Sequence, residues 1–185
     1  MSKLIFFLHS AGAQGTHEGS SDFVAWLKRV LGTEFKVVHP KMPNPEAPDY
    51  APWKAKLKKE LVKLKGEVIL IGHSLGGSVL LKCLTEESFT NPIAWMFLVS
   101  VPFWGGDENW QEETFTLPRN FVKKLPEIPN VFLYHSVNDP IVSSEHQALY
   151  AEKFPHATIR KLSGDEHAFR QGIPELVTDI RSLKG

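Results

Sequence analysis

Gly72-His73-Ser74-Leu75-Gly76 carries the clearest chemistry in this chain of 185 residues. Ahead of it, residues 68–71 form an unbroken apolar run rich in β-branched side chains, the pattern of a strand buried on both faces. Behind it, Val79, Leu80, Cys83 and Leu84 recur at helical spacing. A serine flanked by glycines between a strand and a helix is the pattern of a nucleophile elbow. The turn is sharp and strained, so neighbouring bulk must be absent, and the helix amino terminus offers free N–H groups where an oxyanion would form. The pentapeptide alone also fits an ordinary Gly-rich turn; the strand before it and the helix after it favour Ser74 as a nucleophile.

A serine hydroxyl needs a base to take its proton, and a histidine needs a carboxylate to fix its tautomer and stabilise its cation. Two loops that follow expected strands supply these groups. Asp139 lies in Ser136-Val137-Asn138-Asp139-Pro140, after residues 131–135; His167 lies in the loop 163–169, after residues 157–162. The order Ser, Asp, His is the one used by serine hydrolases built on strand-turn-helix units. Other histidines compete less well as the base. His9 ends an apolar run, His73 flanks the nucleophile, and His135, His146 and His156 sit within or just before elements. For the acid, Asp107 is an alternative position and Asp165 is close to His167 in sequence. Asp139 also fits a turn-forming role before Pro140, and the two roles are compatible.

The elements that must hold these groups alternate along the chain. Residues 4–8, 35–38, 68–71, 93–99, 131–135 and 157–162 read as six strands. Between them lie amphipathic helices. The first has Phe23, Trp26, Leu27, Val30 and Leu31 on one face, with N-cap candidates at Ser20, Ser21 and Asp22 and a stop at Gly32. The second has Pro52 in its first turn and carries Trp53, Leu57, Leu61 and Leu64. A short helix is expected around Phe121, Val122 and Leu125. Another starts at Ser143 or Ser144 and carries Leu149, Tyr150 and Phe154. The last starts at Pro174 and packs Leu176, Val177, Ile180 and Leu183 inward. Five prolines between His39 and Pro52 mark a stiff connection. Strands alternating with helices give a mainly parallel sheet covered on both faces, whose ligands bind beyond the carboxyl ends of the strands. No repeat, low-complexity segment or linker divides the chain, so residues 1–185 are expected to form a single domain, long enough to bury roughly 70% of its unfolded surface.

Composition excludes several classes. Lys plus Arg and Asp plus Glu number 21 each, so no long-range field favours nucleic acid or an anionic membrane. Six lysines between Lys54 and Lys65 read as a solvated helix face rather than a binding patch. Cys83 is the single cysteine, leaving no internal disulfide, and burial is its default. The apolar run at residues 4–8 is too short for a signal peptide or a span. A cytoplasmic protein is expected, without metal or organic cofactor.

These motifs resemble those of the α/β-hydrolases, and more narrowly the compact serine hydrolases typified by retinoblastoma-binding protein nine. The resemblance spans nearly the whole chain. It rests on His9 to Gly15, Met42-Pro43-Asn44-Pro45, Gly72 to Gly76, Gly106-Asp107-Glu108-Asn109, Asn138-Asp139-Pro140 and Gly164 to His167. It implies a three-layer sandwich with sheet order 2-1-3-4-5-6 and a minimal cap. The Leu75 N–H, with one from the first loop, most simply Ala11, would form the oxyanion hole. Two departures stand out. The first loop reads His-Ser where His-Gly is commoner, and the Leu-x-Cys-x-Glu peptide associated with retinoblastoma-protein binding is absent. Ser10, Phe103, Trp104 and Trp110, with Phe115, are candidates for a substrate wall; aromatic residues covering a sheet edge would look the same. The expected chemistry is hydrolysis of small carboxylic esters through an acyl-enzyme. Amide or peptide cleavage by the same triad, and a non-catalytic binding module on the same fold, are the alternatives. No protein partner is indicated.

Overall fold

The computed structural model describes residues 3–182. Six strands run in one sheet: β1 (Lys3–Leu8), β2 (Phe35–Val38), β3 (Val68–His73), β4 (Ile93–Val99), β5 (Asn130–Ser136) and β6 (Thr158–Leu162). Their order is β2-β1-β3-β4-β5-β6, and every neighbouring pair is parallel. The helices are α1 (Ser21–Leu31), α2 (Tyr50–Leu61), α3 (Leu75–Glu86), α4 (Glu145–Lys153) and α5 (Pro174–Ser182), with short 3₁₀ turns at Gly32–Glu34, Glu113–Phe115 and Phe121–Lys124.

Side chains that alternate along a strand feed two separate cores. Phe6, Leu8, Leu70, Met96 and Leu98 pack under α2 and α3 with Trp53, Leu57, Val79 and Leu80. Ile5, Phe7, Ile69, Ile71, Phe97 and Val99 pack under α1 and α5 with Phe23, Leu27, Leu176 and Ile180. Strands β3 and β4 are buried at every residue, because both faces of a parallel sheet are covered. The edge strand β6 alternates between half-buried and exposed.

Several local expectations shift. Helix α2 begins at Tyr50, capped by Asp49, whose side chain accepts from the Ala51 N–H; Pro52 is its third residue, within the first turn. Leu64 is buried but lies in the turn after α2. Leu183 lies outside the described residues. Ser20 occupies the N-cap position of α1 without capping it, since its hydroxyl is committed elsewhere. On α2 and just beyond it, Lys54, Lys56, Lys58 and Lys63 pair with Glu60, Glu86 and Glu87, which neutralises much of that basic face.

The crossing of α3 over β1 depends on absent side chains. A Cβ on Gly76 would stand 2.4 Å from the carbonyl oxygens of both Leu8 and His9, and one on Gly72 would stand 2.5 Å from Gly77 Cα. These are backbone atoms of the sheet and the helix, with no flexible end to give way. Gly76→Ala is expected to destabilise the fold by about 3 kcal/mol, the upper end of an overpacking cost. Urea unfolding measures it, and a midpoint unchanged from wild type would show that the helix can lift off the strand freely.

Candidate active site

Ser74 is held at φ +51°, ψ −127° at the junction of β3 and α3. Positive φ is costly for a residue with a Cβ and persists only where the surroundings over-determine it. Here the Ser74 N–H donates to the Val99 carbonyl at 2.8 Å, and the Gly77 N–H donates to the Ser74 carbonyl at 2.9 Å. With its main chain held on both sides, Ser74 is set at the carboxyl edge of the sheet.

Two further strand-end loops meet it there. The Ser74 hydroxyl lies 3.1 Å from His167 Nε2, and His167 Nδ1 lies 2.8 Å from Asp139 Oδ2 and 3.0 Å from Oδ1. With the proton on Nδ1 and hydrogen-bonded to the carboxylate, Nε2 is left as the acceptor facing Ser74. The loop carrying His167 is tied to the loop carrying Asp139. The Val137 N–H donates to the Leu162 carbonyl and the Asn138 N–H to the Gly164 carbonyl, and the Ser136 hydroxyl donates to the Glu166 carbonyl.

The Asp139 carboxylate is fully shielded from solvent. Burial would raise its pKa. The hydrogen bond to His167 and the N–H groups of Val142 and Ile141 outweigh that and hold it down at about 2. It therefore stays charged and aimed at the imidazole. His135 lies beneath, donating from Nε2 to the Val142 carbonyl at 2.8 Å and standing 3.5 Å from Asp139 Oδ2.

The rival assignments are placed elsewhere. Asp107 does not approach His167; its Oδ2 accepts from His146 Nε2 at 2.8 Å, while His146 Nδ1 accepts from the Phe103 N–H at 2.9 Å. This pair fastens the segment after β4 onto α4. Among the described histidines, His167 alone hydrogen-bonds Ser74. His73 is engaged away from Ser74 in a chain of hydrogen bonds. Its Nε2–H donates to the His167 carbonyl at 2.7 Å, so Nδ1 is the acceptor for the Ser20 hydroxyl at 2.8 Å. Ser20 Oγ in turn accepts from the Ser10 N–H at 2.9 Å. That chain joins the first loop, the start of α1 and the base loop across the elbow, and it explains why Ser20 leaves α1 uncapped.

Burial, with the nearby His167, lowers the His73 pKa to about 3; burial, with His39, lowers that of His9 to about 4. Both are neutral in the folded protein where an unfolded chain would protonate them, near 6.5. Between about pH 6.5 and 4 the unfolded state binds more protons, so stability falls as the pH falls, by up to about 1.4 kcal/mol per pH unit for each histidine. Urea titrations across that window test this, and a flat profile would contradict the neutral, buried state of both rings.

The first loop is anchored on either side of one amide. The Ser10 N–H is used by Ser20 and the Gly12 N–H donates to the Pro45 carbonyl at 2.8 Å. Between them the Ala11 N–H has no acceptor among the described residues, and neither has the Leu75 N–H at the first position of α3. Both residues line a cleft of about 380 Å³ that opens over Ser74.

Of the expected wall, Ser10, Trp104, Trp110 and Phe115 line this cleft. Trp104 packs edge-on against Trp110 at 4.9 Å and tilts against Phe115 at 5.0 Å. Phe103 does not line it. Its ring packs edge-on against Tyr150 at 5.0 Å, drawn under the segment by the hydrogen bond to His146. Ile141 and Arg170 also line the cleft. Neither was singled out in the sequence, although each lies within three residues of a triad candidate. Among the described residues, no group of three or more His, Cys, Asp or Glu side chains is placed to hold a metal ion, and no helix is long and apolar enough to cross a membrane.

A parallel six-stranded sheet with a strained serine at a strand-to-helix turn, and an acid and a histidine on later strand ends, defines the α/β-hydrolase class. Within that class the chain belongs to the serine hydrolase family, whose model matches residues 12–169. No curated protein matches the sequence. Solved structures share the fold at low identity. The ydeN gene product from B. subtilis superposes with a TM-score of 0.80 at 20% identity, covering 98% of both chains. The esterase RhEst1 from Rhodococcus sp. ECU1013 gives 0.74 at 15% identity, over 98% of this chain and 90% of that one. A serine hydrolase involved in carbazole degradation, CarC, gives 0.72 at 12%, with coverage of 98% and 90%.

Proposed function

We propose that this serine hydrolase cleaves carboxylic esters of small molecules through an acyl-enzyme on Ser74. The observation that carries the reading is the continuous chain from Ser74 Oγ to His167 Nε2 at 3.1 Å and from His167 Nδ1 to Asp139 Oδ2 at 2.8 Å. His167 takes the hydroxyl proton as Ser74 attacks the ester carbonyl, and Asp139 stabilises the imidazolium. The tetrahedral oxyanion is met by the Leu75 and Ala11 N–H groups, which have no other acceptor among the described residues. His167 then protonates the leaving alcohol. Water, deprotonated by the same imidazole, attacks the acyl carbonyl, releases the carboxylic acid and restores Ser74. Asp139 acts only by orientation and charge.

A cleft of about 380 Å³ walled by Trp104, Trp110 and Phe115 suits short to medium acyl groups. Release of p-nitrophenolate from a series of p-nitrophenyl esters of rising acyl length tests the reading. Turnover is expected to be highest within the short-to-medium range and to collapse for long chains. Matched p-nitroanilides are expected to react far more slowly; a reversal of that order would make the protein an amidase.

A further inference from the structure

Resting on the Ser74 reading, we infer that the favoured substrates carry an anionic carboxylate, bound by Arg170 at the mouth of the cleft. Arg170 is solvent-exposed and lines the same cleft as Ser74, Trp104 and Trp110. It makes no hydrogen bond or ion pair with any other described residue, whereas Arg160 is held by Asp179 and Arg181 by the Val30 carbonyl.

Among the described residues it is also the only Lys, Arg, Asp or Glu lining the cleft. Asp139, which holds His167, is shielded from solvent, and His73 is neutral. No negative side chain within the cleft therefore competes for the guanidinium, and the amino terminus of α3 adds positive potential at Ser74. A substrate that brought only apolar surface would leave this cation unused.

The backbone under Arg170 is fixed. Phe169 is held at φ +48°, with its ring buried against Phe23 and His73 at 5.8 Å from each. The Gly172 N–H donates to the Phe169 carbonyl at 2.8 Å. A Cβ on Gly172 would stand 1.9 Å from Trp26, so the turn beyond is closed by glycine alone. Phe169 goes into the core, and Arg170 is presented beside His167 from an anchored turn. A guanidinium in that setting recognises a carboxylate through paired N–H donors, and the aromatic wall opposite takes the apolar part of the molecule.

The test uses the full chain and p-nitrophenyl monoesters of glutaric and adipic acid, each against its methyl-capped neutral counterpart, at low salt and corrected for uncatalysed release. Wild type is expected to favour the charged member by at least about tenfold in kcat/KM, about 1.4 kcal/mol. In Arg170→Gln the charged-to-neutral ratio is expected to fall to near one, and in Arg170→Lys to keep part of the preference. A ratio near one in wild type, or an unchanged ratio in Arg170→Gln, would overturn the inference while leaving ester hydrolysis intact. Tryptophan fluorescence titration with monomethyl adipate separates the two readings. Binding weakened at least about tenfold in Arg170→Gln supports the inference even if turnover is absent, which would instead fault Ser74; equal binding in both proteins overturns it.

Discussion

Ser74→Ala is expected to lower ester turnover by at least about 10⁴-fold, with KM changed little. In the proposed mechanism the hydroxyl forms the acyl bond, and no other serine, threonine or cysteine hydrogen-bonds His167 among the described residues. What remains in the variant is the pair of oxyanion donors and a base able to activate water, which accounts for a residual rate rather than none. Alanine retains a Cβ at φ +51°, so backbone strain is carried over and the melting temperature should stay near that of wild type. Steady-state p-nitrophenyl ester kinetics, with thermal unfolding as the control for folding, check both halves. A loss of less than tenfold in a folded variant would place the nucleophile elsewhere.

His167→Ala is expected to cost at least about 10³-fold in kcat at pH 7.5. Without the imidazole, the Ser74 hydroxyl keeps its proton and the leaving alkoxide departs unprotonated. The hydrogen bond from His73 ends on the His167 main-chain carbonyl, so the substitution does not cut the network that holds the base loop against the first loop. A small change in thermal stability should therefore accompany a large change in rate. Because the base is gone, the remaining rate should rise with hydroxide concentration instead of levelling off at alkaline pH. A plateau like that of wild type would mean that another group supplies the base.

Much of this arrangement can be read from residue order, and the reason is periodicity. Fully apolar runs flanked by small loop residues mark strands β3 and β4 because parallel strands are covered on both faces. Reading residues 131–135 and 157–162 as further strands places Asp139 and His167, like Ser74, on strand ends before any geometry is known. The small residues between His9 and Gly15 mark a loop that lets backbone amides approach a ligand. What stays hidden depends on partners distant in sequence. Ser20 looks like an N-cap by type, but its hydroxyl has stronger calls on it from Ser10 and His73, contacts no local pattern reports. Phe103 and Trp104 are adjacent aromatics of equal promise. His146, forty-three residues away from Phe103, fixes the main chain at the Phe103 N–H, and only Trp104 meets the cleft. Asp107 has the type and place of a triad acid and is instead taken by that same histidine. Arg170 was invisible because an exposed arginine after a loop histidine has no pattern of its own; its position in the cleft depends on Phe169 entering the opposite core.

The most direct test of Ser74 as an activated nucleophile is peptide mapping by mass spectrometry after treatment of the native protein with a fluorophosphonate. The phosphonyl adduct is expected on the peptide containing Gly72-His73-Ser74-Leu75-Gly76, at Ser74, with no adduct in Ser74→Ala and strongly slowed labelling in His167→Ala. An adduct on another residue of the wild-type protein, or labelling of Ser74→Ala at the wild-type rate, would contradict the account.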